Sequence, residues 1–329
     1  MKKKILSLTL ILFLFLAGAA VLILQKTARP AYLAWSVSLE APVEGGVVKN
    51  VQPSLSVPTQ ISKIGADYFL VDCYHNQILT SPSPDLPLTE WTVLTDQINR
   101  GHTIAGDGSV FLADDTDNNR ILVFEKKDGR FFMTQTFENI GIRPHYVVYD
   151  ESTGRFYALS SMTGELYIFV RPENGSRVAL EKVLSVPELS GAYVRSFTID
   201  GNDIYFVSGN GSILRARKRD LKIMERWPVP DQIAGMIQLT RIQDYFYITV
   251  STDLLGNQDA ATILRVSDLS QLATGQWEDI YDNFIGGGTP YYISSFDGHY
   301  YLTEHRLPGH SVWQFDVEDN RLTNILSLY

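Results

Sequence analysis

Gly65-Ala66-Asp67-Tyr68-Phe69-Leu70-Val71 is a tight-turn signal running straight into an aromatic-rich strand, and its recurrence decides the fold. The same pairing returns as Gly106-Asp107-Gly108 before Val110-Phe111-Leu112, as Asp150 to Gly154 before Phe156-Tyr157-Ala158-Leu159, and as Asp200-Gly201 before Ile204-Tyr205-Phe206-Val207. It returns twice more, as Gln243-Asp244 before Phe246-Tyr247-Ile248-Thr249 and as Asp297-Gly298 before Tyr300-Tyr301-Leu302-Thr303. The turn centres lie roughly 40 to 55 residues apart, which is the period of a four-stranded propeller blade, and no helical pattern intervenes. An all-β, six-bladed β-propeller with four antiparallel strands per blade is therefore expected over residues 56–329. Its blades should cover 56–97, 98–140, 141–189, 190–231, 232–284 and 285–329.

The segment before the propeller has a different composition. Lys2, Lys3 and Lys4 precede an apolar run from Ile5 to Leu24, long enough at helical rise to cross about 30 Å of hydrocarbon. One N-terminal transmembrane helix within residues 1–30 is expected, acting as a signal anchor with the lysines cytoplasmic and the body extracytoplasmic. The alternative is export followed by cleavage near Ala17-Gly18-Ala19-Ala20. Residues 31–55 read as a tether containing Pro30's successor prolines Pro42 and Pro53, with Trp35 to Glu40 alternating like a strand that could complete an outer sheet edge.

Charge and cysteine count exclude several functions. The 329 residues carry a net charge of −9; without the five basic residues Lys2, Lys3, Lys4, Lys26 and Arg29, 23 basic residues face 37 acidic ones, a net −14. So acidic a body argues against nucleic acid as a partner. Cys73 is the only cysteine, so no intramolecular disulfide can form. With no long unpaired strand edge expected, the ectodomain should be monomeric.

In a propeller, the loops entering the inner strands and those joining second to third strands open on one face. The entry positions hold Arg100-Gly101-His102, Arg143-Pro144-His145, Tyr193-Val194-Arg195, Gly235-Met236 and Thr289-Pro290-Tyr291. The other loops carry Asp72, His75, Asp114, Asp115, Asp117, Ser251, Glu304, His305, Arg306 and His310, so five of the six histidines are expected on this face. The ligand-binding candidates are Arg100, His102, Arg143, His145, Arg195, Tyr291, Glu304, His305 and Arg306. Guanidinium groups there would clamp a carboxylate or phosphate through paired hydrogen bonds. In the alternative chemistry His102, His145 and His305, with Asp72, Asp114 or Glu304, would ligate a divalent metal (Zn, Mn or Ca) and make the protein a hydrolase or lyase. A third reading has these side chains bonding neighbouring blades and fixing the loops. Cys73 with His75 as a thiolate–imidazole pair, and the acidic run Asp114 to Asn118 as a calcium loop, are weaker signals. Gly286-Gly287-Gly288 lacks the helix and lysine of a phosphate loop.

Val71-Asp72-Cys73-Tyr74-His75-Asn76-Gln77-Ile78-Leu79 and Ala113-Asp114-Asp115-Thr116-Asp117-Asn118-Asn119-Arg120-Ile121-Leu122-Val123-Phe124 resemble the strand–turn–strand signature of NHL-repeat propellers. The resemblance covers about a quarter of the chain and implies a fold, since such propellers include binding, scaffold and enzymatic members. Calcium lactonases of the gluconolactonase type resemble the chain in blade count. Their Glu and Asn/Asp ligands are not matched at the entry positions, where His102, His145, Arg195, Met236 and Tyr291 stand. Propeller lyases with channel-lining His, Arg and Tyr are more similar in residue type. The leading expectation is a membrane-anchored extracytoplasmic binding or scaffold module for a small anionic ligand, glycan or peptide.

Overall fold

The computed structural model describes residues 34–172 and 177–329. Six antiparallel sheets follow one another along the chain, each with a four-stranded core. Blade 1 holds β3 (Pro58–Ile64), β4 (Asp67–Asp72), β5 (Gln77–Ser81) and β6 (Thr92–Thr95); blade 2 holds β7 (Ile104–Gly106), β8 (Val110–Asp115), β9 (Arg120–Lys127) and β10 (Arg130–Glu138). Blade 3 is β11 (Pro144–Asp150), β12 (Arg155–Ser160), β13 (Glu165–Val170) and β14 (Ala179–Ser185). Blade 4 is β15 (Val194–Asp200), β16 (Asp203–Ser208), β17 (Ser212–Arg217) and β18 (Ile223–Pro228). In blade 5 come β19 (Gly235–Ile242), β20 (Tyr245–Thr252), β21 (Thr262–Val266) and β22 (Glu278–Asp279); in blade 6, β23 (Thr289–Phe296), β24 (His299–His305), β25 (Val312–Glu318) and β26 (Arg321–Ser327).

Each of the six Gly/Asp turns joins the first and second strands of a blade, as the sequence predicts. The aromatic-rich strand after each turn is buried because it is sandwiched between two neighbouring blades. β4, β8, β12 and β16 are buried along almost their whole length. Aromatic rings interlock across the junctions: Phe69 with Phe111 at 5.3 Å, Phe137 with Phe169 at 4.7 Å, Tyr146 with Phe197 at 5.5 Å, and Phe296 edge-on to Tyr68 at 5.8 Å. Burial of such rings supplies the main favourable term.

Two further strands lie outside the ring. β1 (Trp35–Gly45) pairs with β10, and β2 (Val48–Lys49) pairs with β6, so the tether extends the outer edges of blades 2 and 1 to five strands each. The Ile5–Leu24 run lies outside the described residues; among those described, no helix is long and apolar enough to cross a membrane.

The inner strands are sheet edges, and their backbone groups must find partners once buried. Side chains of the adjoining blade supply them at all six junctions. Thr59 Oγ1 donates to His102 O at 2.7 Å, and Ile104 N donates to Gln60 Oε1 at 2.8 Å. Val147 N donates to Thr103 Oγ1 at 2.8 Å, and His145 Nδ1 donates to Arg195 O at 3.1 Å. Ser196 Oγ donates to Ile237 O at 2.7 Å, while Gln238 exchanges two hydrogen bonds with the Ile293 backbone at 3.1 and 2.6 Å. Thr303 Oγ1 closes the circle by donating to Thr59 O at 2.7 Å. The last residue also helps closure, since Trp91 Nε1 of blade 1 donates to the Tyr329 hydroxyl at 3.0 Å.

Changing Thr303→Val removes the donor to Thr59 O and the acceptor for Tyr292 N. A loss of about 1–3 kcal/mol is expected, read from the urea midpoint. An unchanged midpoint would show that this junction does not hold the ring.

Candidate functional site

On the face where the entry loops open, Arg100, His102, Arg143, Arg195, Tyr291 and His305 line one pocket of about 430 Å³ with Tyr74, Tyr193, Asp117 and Ser251. Short turns in blades 1 and 2 build half of it. After β4 and β8 the chain makes single 3-10 turns, Cys73–His75 and Thr116–Asn118, each ended by an asparagine in the left-handed region: Asn76 at φ 53° and Asn119 at φ 54°. Asparagine tolerates this conformation better than most residues. The same two asparagines accept, through Oδ1, from the backbone N–H of Arg100 at 3.1 Å and of Arg143 at 2.7 Å. Each blade's turn therefore fixes the entry loop of the next.

Those entry residues are themselves in the left-handed region. Arg100 has φ 56°, Arg143 φ 57° and Tyr193 φ 49°, the same position in three successive blades. A non-glycine residue held there costs about 1–2 kcal/mol. Between Arg100 and His102 only glycine fits, because a Cβ on Gly101 would stand 2.7 Å from Asp114 O and 2.3 Å from Ile98 Cδ1.

The three guanidinium groups differ in their partners. Arg143 pairs with Asp117 at 2.7 Å, but its Nε is buried without a hydrogen-bond partner. Arg100 lies 3.8 Å over the Tyr74 ring, and Arg195 lies 5.0 Å over the Tyr193 ring while donating to the Ser251 hydroxyl. Among the described residues neither Arg100 nor Arg195 has a carboxylate within ion-pair distance. The nearby histidines register this positive potential. Burial, then Arg143 and Arg195, push His102 down to about 3; burial, then Arg306 and Arg195, push His305 down to about 4. His145 is driven well below the usual imidazole range, by burial first and then by His102. All three imidazoles are neutral at pH 7.

The five histidines do not converge as the loop positions suggest. His102 and His145 stack with ring centres 3.7 Å apart, and His305 faces the pocket. His75 turns away to the Asp72 carboxylate at 2.5 Å, and His310 stacks on Trp313 at 5.3 Å. Among the described residues no three His, Cys, Asp or Glu side chains are placed to hold a metal ion. His145 Nδ1 belongs to the blade 3–4 junction, and its Nε2 is buried without a partner.

The carboxylates considered as metal ligands are also engaged. Asp72 accepts from Ser56 N and Val57 N at 3.0 and 3.2 Å. Asp114 accepts from His102 N, Thr103 N, Thr103 Oγ1 and Thr116 Oγ1, at 2.9, 2.7, 2.6 and 2.9 Å. Burial nonetheless holds its carboxyl above the ordinary range. Glu304 is buried away from the pocket, accepting from Tyr281 OH at 2.5 Å and Trp313 Nε1 at 2.7 Å. Arg306 stands behind the wall, with Nη1 3.3 Å from both Gln258 O and Thr289 Oγ1.

Cys73 finds a different imidazole from the one beside it in sequence. Thr116 Oγ1 donates to Asp114, so His102 Nδ1–H donates to Thr116 Oγ1 at 2.9 Å and Nε2 presents its lone pair to the Cys73 thiol 3.8 Å away. Burial pushes this thiol far above the usual thiol range, and the side chain is only 1% exposed. A protonated, enclosed thiol is structural rather than nucleophilic. Tyr74 and Tyr193, which carry the arginines, are among the pocket residues that the candidate set lacks, together with Asp117 and Ser251. Tyr193 was marked by its position alone, since it occupies the place of Arg100 and Arg143.

The fold and pocket define a six-bladed propeller with an arginine-lined mouth. No protein-family model matches the chain, and no curated protein matches its sequence. Among solved structures it is similar to one described as streptogramin B lyase (14% identity, TM-score 0.54, covering 90% of this chain and 88% of that one). It is also similar to a putative 6-phosphogluconolactonase from Bacteroides fragilis (12% identity, TM-score 0.58, 82% of each chain). A third is the Cps50 (Swd1) propeller domain of Myceliophteria thermophila (11% identity, TM-score 0.52, 87% and 89%). At these identities the likeness is one of fold.

The depressed histidines set a pH dependence. Their folded values lie below the unfolded one, so the unfolded chain binds more protons and stability is lost as pH falls below about 6.5. Each contributes a slope of about 1.4 kcal/mol per pH unit across its window, which reaches to about 3 for His102 and about 4 for His305. Urea midpoints measured at pH 7, 6 and 5 should fall steadily, and His305→Gln should reduce the slope. An equal slope in that variant would contradict the neutral, enclosed state of His305.

Proposed function

We propose that this chain is a binding module whose pocket holds a small anion, carboxylate or phosphate, between Arg100, Arg143 and Arg195. One observation carries the reading: in a chain of net charge −9, three guanidinium groups line one pocket and two of them lack a carboxylate partner. Guanidinium groups held against aromatic rings are pre-ordered donors, so little rotamer freedom remains to be lost on binding. The Tyr291 phenol and neutral His305 add uncharged contacts at the pocket wall. The NHL-like turns of blades 1 and 2 support the same reading, because their asparagines set the entry loops that carry Arg100 and Arg143. The strained backbone at both arginines fits a site kept for function rather than stability.

In this proposal the Ile5–Leu24 run anchors a monomeric propeller on the extracytoplasmic side of a membrane. Its support is the sequence pattern of three lysines followed by 20 apolar or small residues. Carbonate extraction of the full chain should leave it in the membrane pellet; release into the supernatant would refute the anchor.

Calorimetric titration with citrate, succinate and inorganic phosphate tests the pocket. Arg195→Ala should weaken the best of these anions by tenfold or more, since a charge-assisted hydrogen bond contributes about 1.5–3 kcal/mol. Anion affinity that ignores Arg100, Arg143 and Arg195 alike would sink the reading. A further outcome separates function from stability at one residue. Arg100→Gly relieves a positive φ and breaks no ion pair, so it should raise the thermal midpoint by about 1–3 °C while weakening anion binding.

A further inference from the structure

The exposed apolar side chains of the propeller are unevenly placed. Among the described residues outside the tether, the exposed large apolar residues are Tyr74, Ile142, Met224, Leu254, Leu255, Ile285 and Leu326. Met224 and Leu326 sit on the outermost strands β18 and β26. The other five lie on the loops around the pocket mouth. Tyr74 lines the pocket itself, and Ile142 precedes Arg143. Leu254 and Leu255 lie on the loop between Ser251-Thr252 and Gln258, all three of which line the pocket. Ile285 lies on the loop that enters β23 at Thr289, another lining residue.

Two of these positions are costly in the free protein. Leu255 is 92% exposed, on a loop that is tied down rather than loose: Leu254 N donates to Asp231 O at 2.8 Å, and Leu255 N to Asp253 Oδ1 at 2.9 Å. Ile285 is 59% exposed and has φ 85°, a conformation that β-branched residues rarely adopt. Neither burial nor backbone preference explains an isoleucine there, and Gly286 and Gly287 beside it show what the turn itself favours.

Tyr74 and Ile142 sit beside Arg100 and Arg143, whereas the other three apolar residues, Leu254, Leu255 and Ile285, come from blades 5 and 6. The guanidinium groups without a carboxylate come from blades 2 and 4, and Arg195 reaches Ser251 at the foot of the Leu254–Leu255 loop. Arg306, just after β24, ties the two apolar loops together, its Nη1 3.3 Å from both Gln258 O and Thr289 Oγ1.

Resting on the anion reading above, we propose that the ligand is a monomeric amphiphile: a carboxylate or phosphate head between the arginines, with one alkyl or acyl chain lying over Leu254, Leu255 and Ile285. Charge complementarity selects the head, and exposed apolar surface on the loops of blades 5 and 6 selects the tail. A free amphiphile is the committed source rather than a bilayer, because the net −14 of the body repels an anionic membrane surface.

The test is a titration series of inorganic phosphate and butyl, hexyl and octyl phosphate, each below its micelle concentration. Affinity should tighten by about fourfold for each methylene that reaches the rim, the equivalent of burying one CH₂. Replacing Leu254, Leu255 and Ile285 by serine should flatten the series to the value of inorganic phosphate. Arg195→Ala should weaken every member by the same factor. If phosphate binds through the arginines and chain length has no effect, the amphiphile inference fails and the anion reading stands. If no member binds, and acetate and octanoate do not bind either, both fail. Binding to anionic vesicles without binding to monomeric octyl phosphate would also overturn the inference, in favour of a membrane surface.

Discussion

Every propeller must satisfy the backbone of its inner strands, which are buried sheet edges with no strand beside them. Here Thr59, Gln60, Thr103, His145, Ser196, Gln238 and Thr303 do so by reaching across the blade junctions. A polar belt of this kind does what interlocking rings alone cannot. Aromatic packing holds neighbouring blades together but tolerates small slippage; a hydrogen bond to a particular carbonyl fixes register. With the inner strands in register, the loops above them are held in place, and the pocket follows from the loops.

The pocket is an electrostatic exception in an acidic molecule. Most basic side chains on the blades have carboxylate partners, such as Arg155 with Glu181 at 2.6 Å and Lys218 with Asp150 at 2.8 Å. Arg100 and Arg195 are instead laid over tyrosine rings, which hold them without neutralising them. Left-handed backbone at Arg100, Arg143 and Tyr193 adds strain at the same three loops. Unneutralised charge, lowered imidazole values and backbone strain thus coincide in one region of the ring, where the free protein is less stable than it need be.

Histidine placement shows how far loop position can mislead. Sequence order brings His75, His102, His145, His305 and His310 to loops of one face, but it does not say which way an imidazole turns. His75 is drawn to Asp72 and His310 to Trp313, since local partners were nearer than the channel. His145 serves the belt, which leaves its ring under His102 rather than beside a shared metal point. The reading in which such side chains fix neighbouring blades describes His145 well; Asp72 and Asp114 fix the entry loops of their own blades, and Arg100, Arg143, Arg195 and Tyr291 reach the pocket.

Blade number, strand order and the face bearing the entry loops were all determined by the sequence alone, because they depend on a period-two apolar pattern and on turns at a fixed spacing, both local properties of the chain. Arg-x-His in two successive blades likewise marked the mouth of the channel. Only the tertiary structure decided which side chains meet. Cys73 faces His102 rather than His75, Glu304 withdraws to Tyr281 and Trp313, and Tyr74 and Tyr193 become platforms for arginine. Those outcomes turn on side-chain direction across a blade junction. Two residues there are neighbours through the curvature of a closed ring, and no local pattern along the chain encodes that distance.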